Sequence, residues 1–301
     1  MLAPLAVAAY LLLASSAVPA PPPCPPDGMT RADLIKLKQS NFEMPSADAR
    51  NLLATRLLGC LDDPDPSIRD GVVFEGLSTW LRGKALSPAT VLALEASLRA
   101  TLGGEKDAAG FRLPFAALVL SEVARADRIE PVFTEAARAD LVELAAGSLI
   151  RVDDYRGFNA VEGWRHGVAH GSDLVLQLAL NPRVGALGLR RLMEAIGTQI
   201  APRGAFFYTF GEPERLARAV VFAYRRGLLD AGFWVAWFGA LESPKPLADW
   251  GAAFLSVEGL ARRHNTIAFL HALSFAGRSG NDEAGKAVAA IADAATARIG
   301  N

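Results

Sequence analysis

From Thr30 onward, apolar positions recur every three or four residues, and short breaks rich in Pro, Gly and Asp interrupt the pattern. That spacing predicts α-helices. "TRADLIKL" opens with Thr30 as a cap and Asp33 three residues on, a capping-box pattern with Asp in place of Glu. "PSADARNLLATRLLGCL" offers Ser46 as the cap and puts Leu53, Leu57 and Leu61 on one face. Pro66 falls in the first turn of the next segment, and Ser87-Pro88 starts another that stops at Gly103-Gly104. No stretch alternates apolar and polar residues for long enough to predict a sheet.

Pairing neighbouring segments gives helical hairpins about 40 residues apart, the length of HEAT or armadillo units. "LLGCLDDPDPSIRDGVVFEGLSTWL" fits one unit best. The expected fold is an all-α, HEAT/armadillo-like α-solenoid, with a closed α/α toroid as the alternative. The expected organisation is a signal peptide over residues 1–20, a Pro-rich linker over 21–29 and one helical-repeat domain over 30–301.

Composition changes this picture mainly at the N-terminus. The 301 residues are 51% hydrophobic and 21% charged, with a formal net charge of −1. That balance supplies no electrostatic attraction to nucleic acid or an anionic membrane surface. The first charged side chain is Asp27, preceded by an apolar run from Leu5 to Leu13 and a Val18-x-Ala20 exit. This reads as a secretory signal. It makes the mature protein periplasmic or secreted and leaves no membrane association after cleavage. The alternatives are an uncleaved anchor, or translation from Met29 and a cytoplasmic protein. Cys24 and Cys60 are the only cysteines. Export would permit a bridge between them, whereas the apolar setting of Cys60 reads as a buried thiol.

Candidate chemistry concentrates in "VDDYRGFNAVEGWRHGVAHGSDLVLQLALNP". Wound as one helix from Val161 to Leu180, this segment places Glu162, His166, His170, Asp173 and Gln177 in a single stripe. Two imidazoles one turn apart, followed by a carboxylate, suit a divalent metal such as zinc. His166, His170 and Asp173 are therefore the candidate ligands, and Glu162 or Asp154 the candidate general base. Gly163, Gly167 and Gly171 make a bare strip beside the stripe, which either a neighbouring element or a ligand should cover. The preceding loop offers Tyr155 and Arg156 as ligand contacts or, more simply, a cap and an ion pair. His271, on the face of "RRHNTIAFLHALSF" that also carries His264, reads as a core histidine or a further contact. In "FGEPERLARAV" the acidic Glu212 and Glu214 are explained by a helix start, with Arg215 and Arg218 following.

The segments "YRGFNAVEGWRHGVAHGSDLVLQLA", "YTFGEPERLARAVVFAY" and "RRHNTIAFLHALSF" resemble the bacterial family known as domain of unknown function 2785, over about Thr30 to Gly277. The resemblance implies an all-helical protein and brings no catalytic residues with it. Two functions follow from the residues. One is an exported scaffold binding a protein, peptide or small ligand in a polar pocket around His166 and His170. The other is a metal-dependent hydrolase with an HxxxHxxD site.

Overall fold

The computed structural model describes residues 22–300. The expected signal segment, residues 1–20, lies outside the described residues. Among the described residues the regular elements are helices apart from one two-stranded ribbon.

Local chemistry starts the helices where the caps fall. Thr30 and Asp33 exchange hydrogen bonds in a reciprocal box before α1 (Arg31–Gln39). Ser46 accepts from the Ala49 amide ahead of α2 (Ala47–Arg56), and a 3₁₀ turn then extends to Cys60. Asp65 caps α3 (Pro66–Ile68), which runs through a π-helical turn, Arg69–Phe74, into α4 (Glu75–Arg82). Ser87 caps α5 (Pro88–Gly103), followed by α6 (Arg112–Ile129) and α7 (Glu135–Ile150). Beyond the ribbon of β1 (Phe158–Asn159) and β2 (Gly163–Trp164) come α8 (Gly167–Ala179) and α9 (Ala186–Ile200). Then follow α10 (Glu212–Arg225), α11 (Ala231–Glu242), α12 (Val257–Arg278) and α13 (Glu283–Gly300).

The helices pack in two rows. In one, α4 meets α6, α6 meets α8, α8 meets α10 and α10 meets α12. In the other, α5 meets α7 and α7 meets α9. Open superhelices and closed α/α toroids share this alternation. Leu34, Leu77, Leu120, Leu174, Leu216 and Phe269 are among the fully buried side chains of the one apolar core that joins the rows.

Two covalent or charged fastenings reinforce it. Cys60 is not a free thiol: it is bonded to Cys24, which ties the Pro-rich segment to the end of α2. At the junction of α6, α7 and α8 the buried carboxylate of Asp127 accepts from the Val132 and Phe133 amides, the Arg138 guanidinium and the Asn181 side-chain amide.

The sequence predicts a continuous helix from Val161 to Leu180, and the structure breaks it. Asn159 Oδ1 accepts from the amides of Val161 and Glu162, closing an Asx-type turn that competes with helical bonding. Gly163 has φ +74°, and His166 is left-handed at φ 57°, ψ 39°. Residues 158–164 consequently pair as antiparallel strands, Phe158 opposite Trp164 and Asn159 opposite Gly163, and α8 begins only at Gly167.

Candidate functional site

The ribbon is held down by arginines. Arg69, fully buried, donates to the Asp63 and Glu162 carbonyls and pairs with Asp70 at 2.8 Å. Its guanidinium lies 4.0 Å from the centre of the Phe111 ring, and Arg165 covers the same ring at 4.2 Å. Arg165 also donates to the Ala109 carbonyl, and the His166 amide donates to the Arg156 carbonyl at 3.0 Å. These anchors set the left-handed backbone at His166, which aims its ring along the first turn of α8.

There the rings form a chain. Trp164 stacks on His166 at 4.7 Å between centroids and 21° between planes. His166 meets His170 edge-on at 5.6 Å, and His170 meets Phe115 edge-on at 5.2 Å. Both histidines are only 7% exposed. Burial, and next the charge of Arg215, lowers His166 to about 4. Burial and then His166 push His170 well below the ordinary imidazole value. Both rings are therefore neutral near pH 7. His166 Nε2 and His170 Nδ1 are shielded from solvent and have no hydrogen-bond partner. The nearest acid to the former is buried Glu212, 3.7 Å away, whose carboxyl burial pushes up.

His166, His170 and Asp173 line a cleft of about 510 Å³ between α4, α6, α8 and α10. Asp70 and Phe74, from the π turn, contribute to one wall, and Arg82 and Glu122 face each other across it, Nε to Oε2 2.9 Å. Trp164 and Phe210 supply an aromatic side, and Arg215 and Arg218 a basic one. Asp173 is bound by Arg215; burial nevertheless pushes its carboxyl up.

This geometry contradicts the expected metal-ligand set and places the other candidate residues away from it. The HxxxHxxD set does not converge as a metal site, because the Asp173 carboxylate is taken by Arg215. Among the described residues no group of three or more His, Cys, Asp or Glu is placed to hold a metal ion. Glu162 lies off the stripe, on the ribbon turn, with its carboxylate on Arg165. Asp154 and Arg156 pair with each other, and both lie against a different, apolar hollow of about 880 Å³. Tyr155 donates to the Val152 carbonyl and packs on Phe206. His271 is exposed on α12 and lines no part of the cleft. The glycine strip is explained by close packing: a Cβ on Gly167 would meet Val152 at 3.3 Å, and one on Gly171 would meet Leu149 at 3.0 Å. Gly163 stands apart, with a left-handed φ and Pro66 and Arg69 against it.

A family model described as "Protein of unknown function (DUF2785)" matches residues 98–275, more than half of the chain. The chain belongs to this family. The matched span is narrower than the resemblance read from the sequence, and within it lie α6, the ribbon, α8 and α10, which carry most of the cleft. Asp70, Phe74 and Arg82 fall outside the matched residues. No curated protein and no solved structure matches the chain.

Sequence reasoning missed Asp70, Arg82, Glu122 and Phe210, which come from separate helices and loops. Arg215 and Arg218 were visible, three apart on an amphipathic helix, but nothing in the chain paired them with Asp173.

Proposed function

We propose that the protein is an exported helical-repeat scaffold that binds a small polar molecule in the cleft around His166 and His170. The observation that carries this reading is the pair of buried neutral imidazoles, each with a shielded nitrogen lacking a partner. A buried polar atom left unpaired costs about 1–3 kcal/mol, and folded proteins retain few of them. Here two occur side by side, in a cleft that also gathers three arginines and three carboxylates. Its volume falls within the roughly 300–1,000 Å³ range of small-ligand sites.

The two-row packing supports the repeat-scaffold part, since stacked hairpins present a lasting concave face. The Cys24–Cys60 bond supports export, because structural disulfides persist in oxidising compartments. Among the described residues no helix is long and apolar enough to cross a membrane.

Ligand-observed NMR with a library of small polar compounds, on the wild type and a His170→Phe variant, tests the binding claim. The expected result is at least one compound whose saturation transfer disappears in the variant, which keeps a ring at the position but no nitrogen. A library silent against folded wild-type protein overturns it. N-terminal sequencing of the mature protein tests export, and an intact Met1 or a start at Met29 refutes it.

A further inference from the structure

The three arginines and three carboxylates that line the cleft balance by count, but Asp70 is held from behind the lining by buried Arg69, which leaves one lining guanidinium over. Arg69 holds Asp70, Arg82 holds Glu122 through two hydrogen bonds, and Arg215 holds Asp173. Each carboxylate of the lining thus already has its own guanidinium. Arg218 lines the same cleft from α10, one turn beyond Arg215, and makes no ion pair or hydrogen bond among the described residues. It is close enough to act on Asp173, whose carboxyl burial raises and the charges of Arg215 and then Arg218 lower. The histidines, being neutral, do not alter this balance, and Glu212 lies behind His166 rather than on the lining.

We infer that the ligand of this cleft is a small organic acid, its carboxylate bound at Arg218 beside Arg215 and its ring or flat body packed on Trp164 and Phe210. The inference rests on the cleft being a ligand site. A guanidinium binds a carboxylate in a planar, two-pronged manner that neutral hydroxyls do not reproduce. The other carboxylate-binding groups of the cleft are already occupied, so the one available guanidinium selects an anion. Trp164 is half-buried and Phe210 is 40% exposed, which leaves aromatic surface for an apolar or sugar-like face to cover. The remaining polar positions, Gln177 and the paired carboxylates, retain lone pairs for ligand hydroxyls.

Two matched pairs of probes test this by calorimetry and thermal shift: benzoate against benzyl alcohol, and D-glucuronate against D-glucose. The expected result is that at least one acid binds about tenfold or more tightly than its neutral counterpart. The preference should shrink with added salt and vanish in Arg218→Gln, an exposed position whose change leaves the fold intact. Equal binding of acid and alcohol overturns the inference and leaves the cleft as a ligand site. An acid preference that survives in Arg218→Gln also overturns it, because the anion then binds elsewhere. Absence of binding by all four probes overturns it as well; the library screen on His170→Phe then decides separately whether the cleft binds anything.

Discussion

Replacing His166 by glycine and, separately, by alanine discriminates between two ways of winding residues 161–180. Both variants remove the imidazole and leave nearly the same space, so the loss of ring contacts cancels in their difference. At φ 57°, ψ 39° an alanine carries the left-handed penalty of about 1–2 kcal/mol, which glycine escapes. The structure therefore requires His166→Gly to be the more stable by about that amount. A continuous helix through position 166 reverses the sign, since glycine there costs about 0.8–1 kcal/mol relative to alanine. The two windings thus differ by about 2–3 kcal/mol in one measurable quantity. For a chain of this size each kcal/mol moves the melting temperature by about 2–4 °C, and denaturant titration of both variants gives the same comparison. His166→Asn should fall between the two, because Asn tolerates the left-handed region better than Ala. An alanine variant equal to or more stable than the glycine variant would refute the left-handed hinge, and with it the placement of the imidazole at the cleft.

Three further outcomes follow from the same structure. Cys60→Ser, or reduction of the bond to Cys24 across 36 residues, should cost about 4 kcal/mol by the loop-entropy relation; an unchanged denaturation midpoint with and without reductant refutes a structural role. Asp127→Ala leaves the Arg138 guanidinium buried without its partner and should cost about 3–5 kcal/mol by chemical denaturation. Burial alone would raise the Asp127 carboxyl, but the Arg138, Phe133 and Val132 bonds reverse this and leave it below the ordinary value. Its contribution is accordingly complete above the unfolded-state value of about 3.9 and is lost as the pH falls through the lower folded value. His166 acts in the same direction but in a higher pH window. With a folded value of about 4 against about 6.5 unfolded, the unfolded chain takes up the proton first, so stability falls as pH drops from 6.5 toward 4. Histidine side-chain NMR should show the His166 and His170 rings still neutral at about pH 5.5, and titration of the His166 ring near 6.5 would refute its burial.

The extent to which the chain could be read differs by scale. Helix starts at Thr30, Ser46 and Ser87 were legible because a cap depends on residues two or three apart. The all-helical character was legible because apolar spacing reports a face that must be buried. The same local reasoning misled at residues 158–166. Periodicity cannot register that Asn159 captures two amides, or that Arg69, almost a hundred residues earlier, clamps the Glu162 carbonyl. His166 and His170 were singled out correctly as neighbours, yet by way of a helix that does not reach His166.

What the sequence alone determined is the inventory: helices, their caps, two adjacent imidazoles and a small number of acids and bases. Only the tertiary structure decided which acid meets which base. Asp173 is a plausible metal ligand on its own helix and an arginine's partner once α10 packs on α8. Arg218 has no ion pair among the described residues, while α4 and α6 bring Arg82 and Glu122 to each other. The physical reason is that ion pairing and desolvation act over a few ångströms of space, and distance along the chain carries almost no information about that separation.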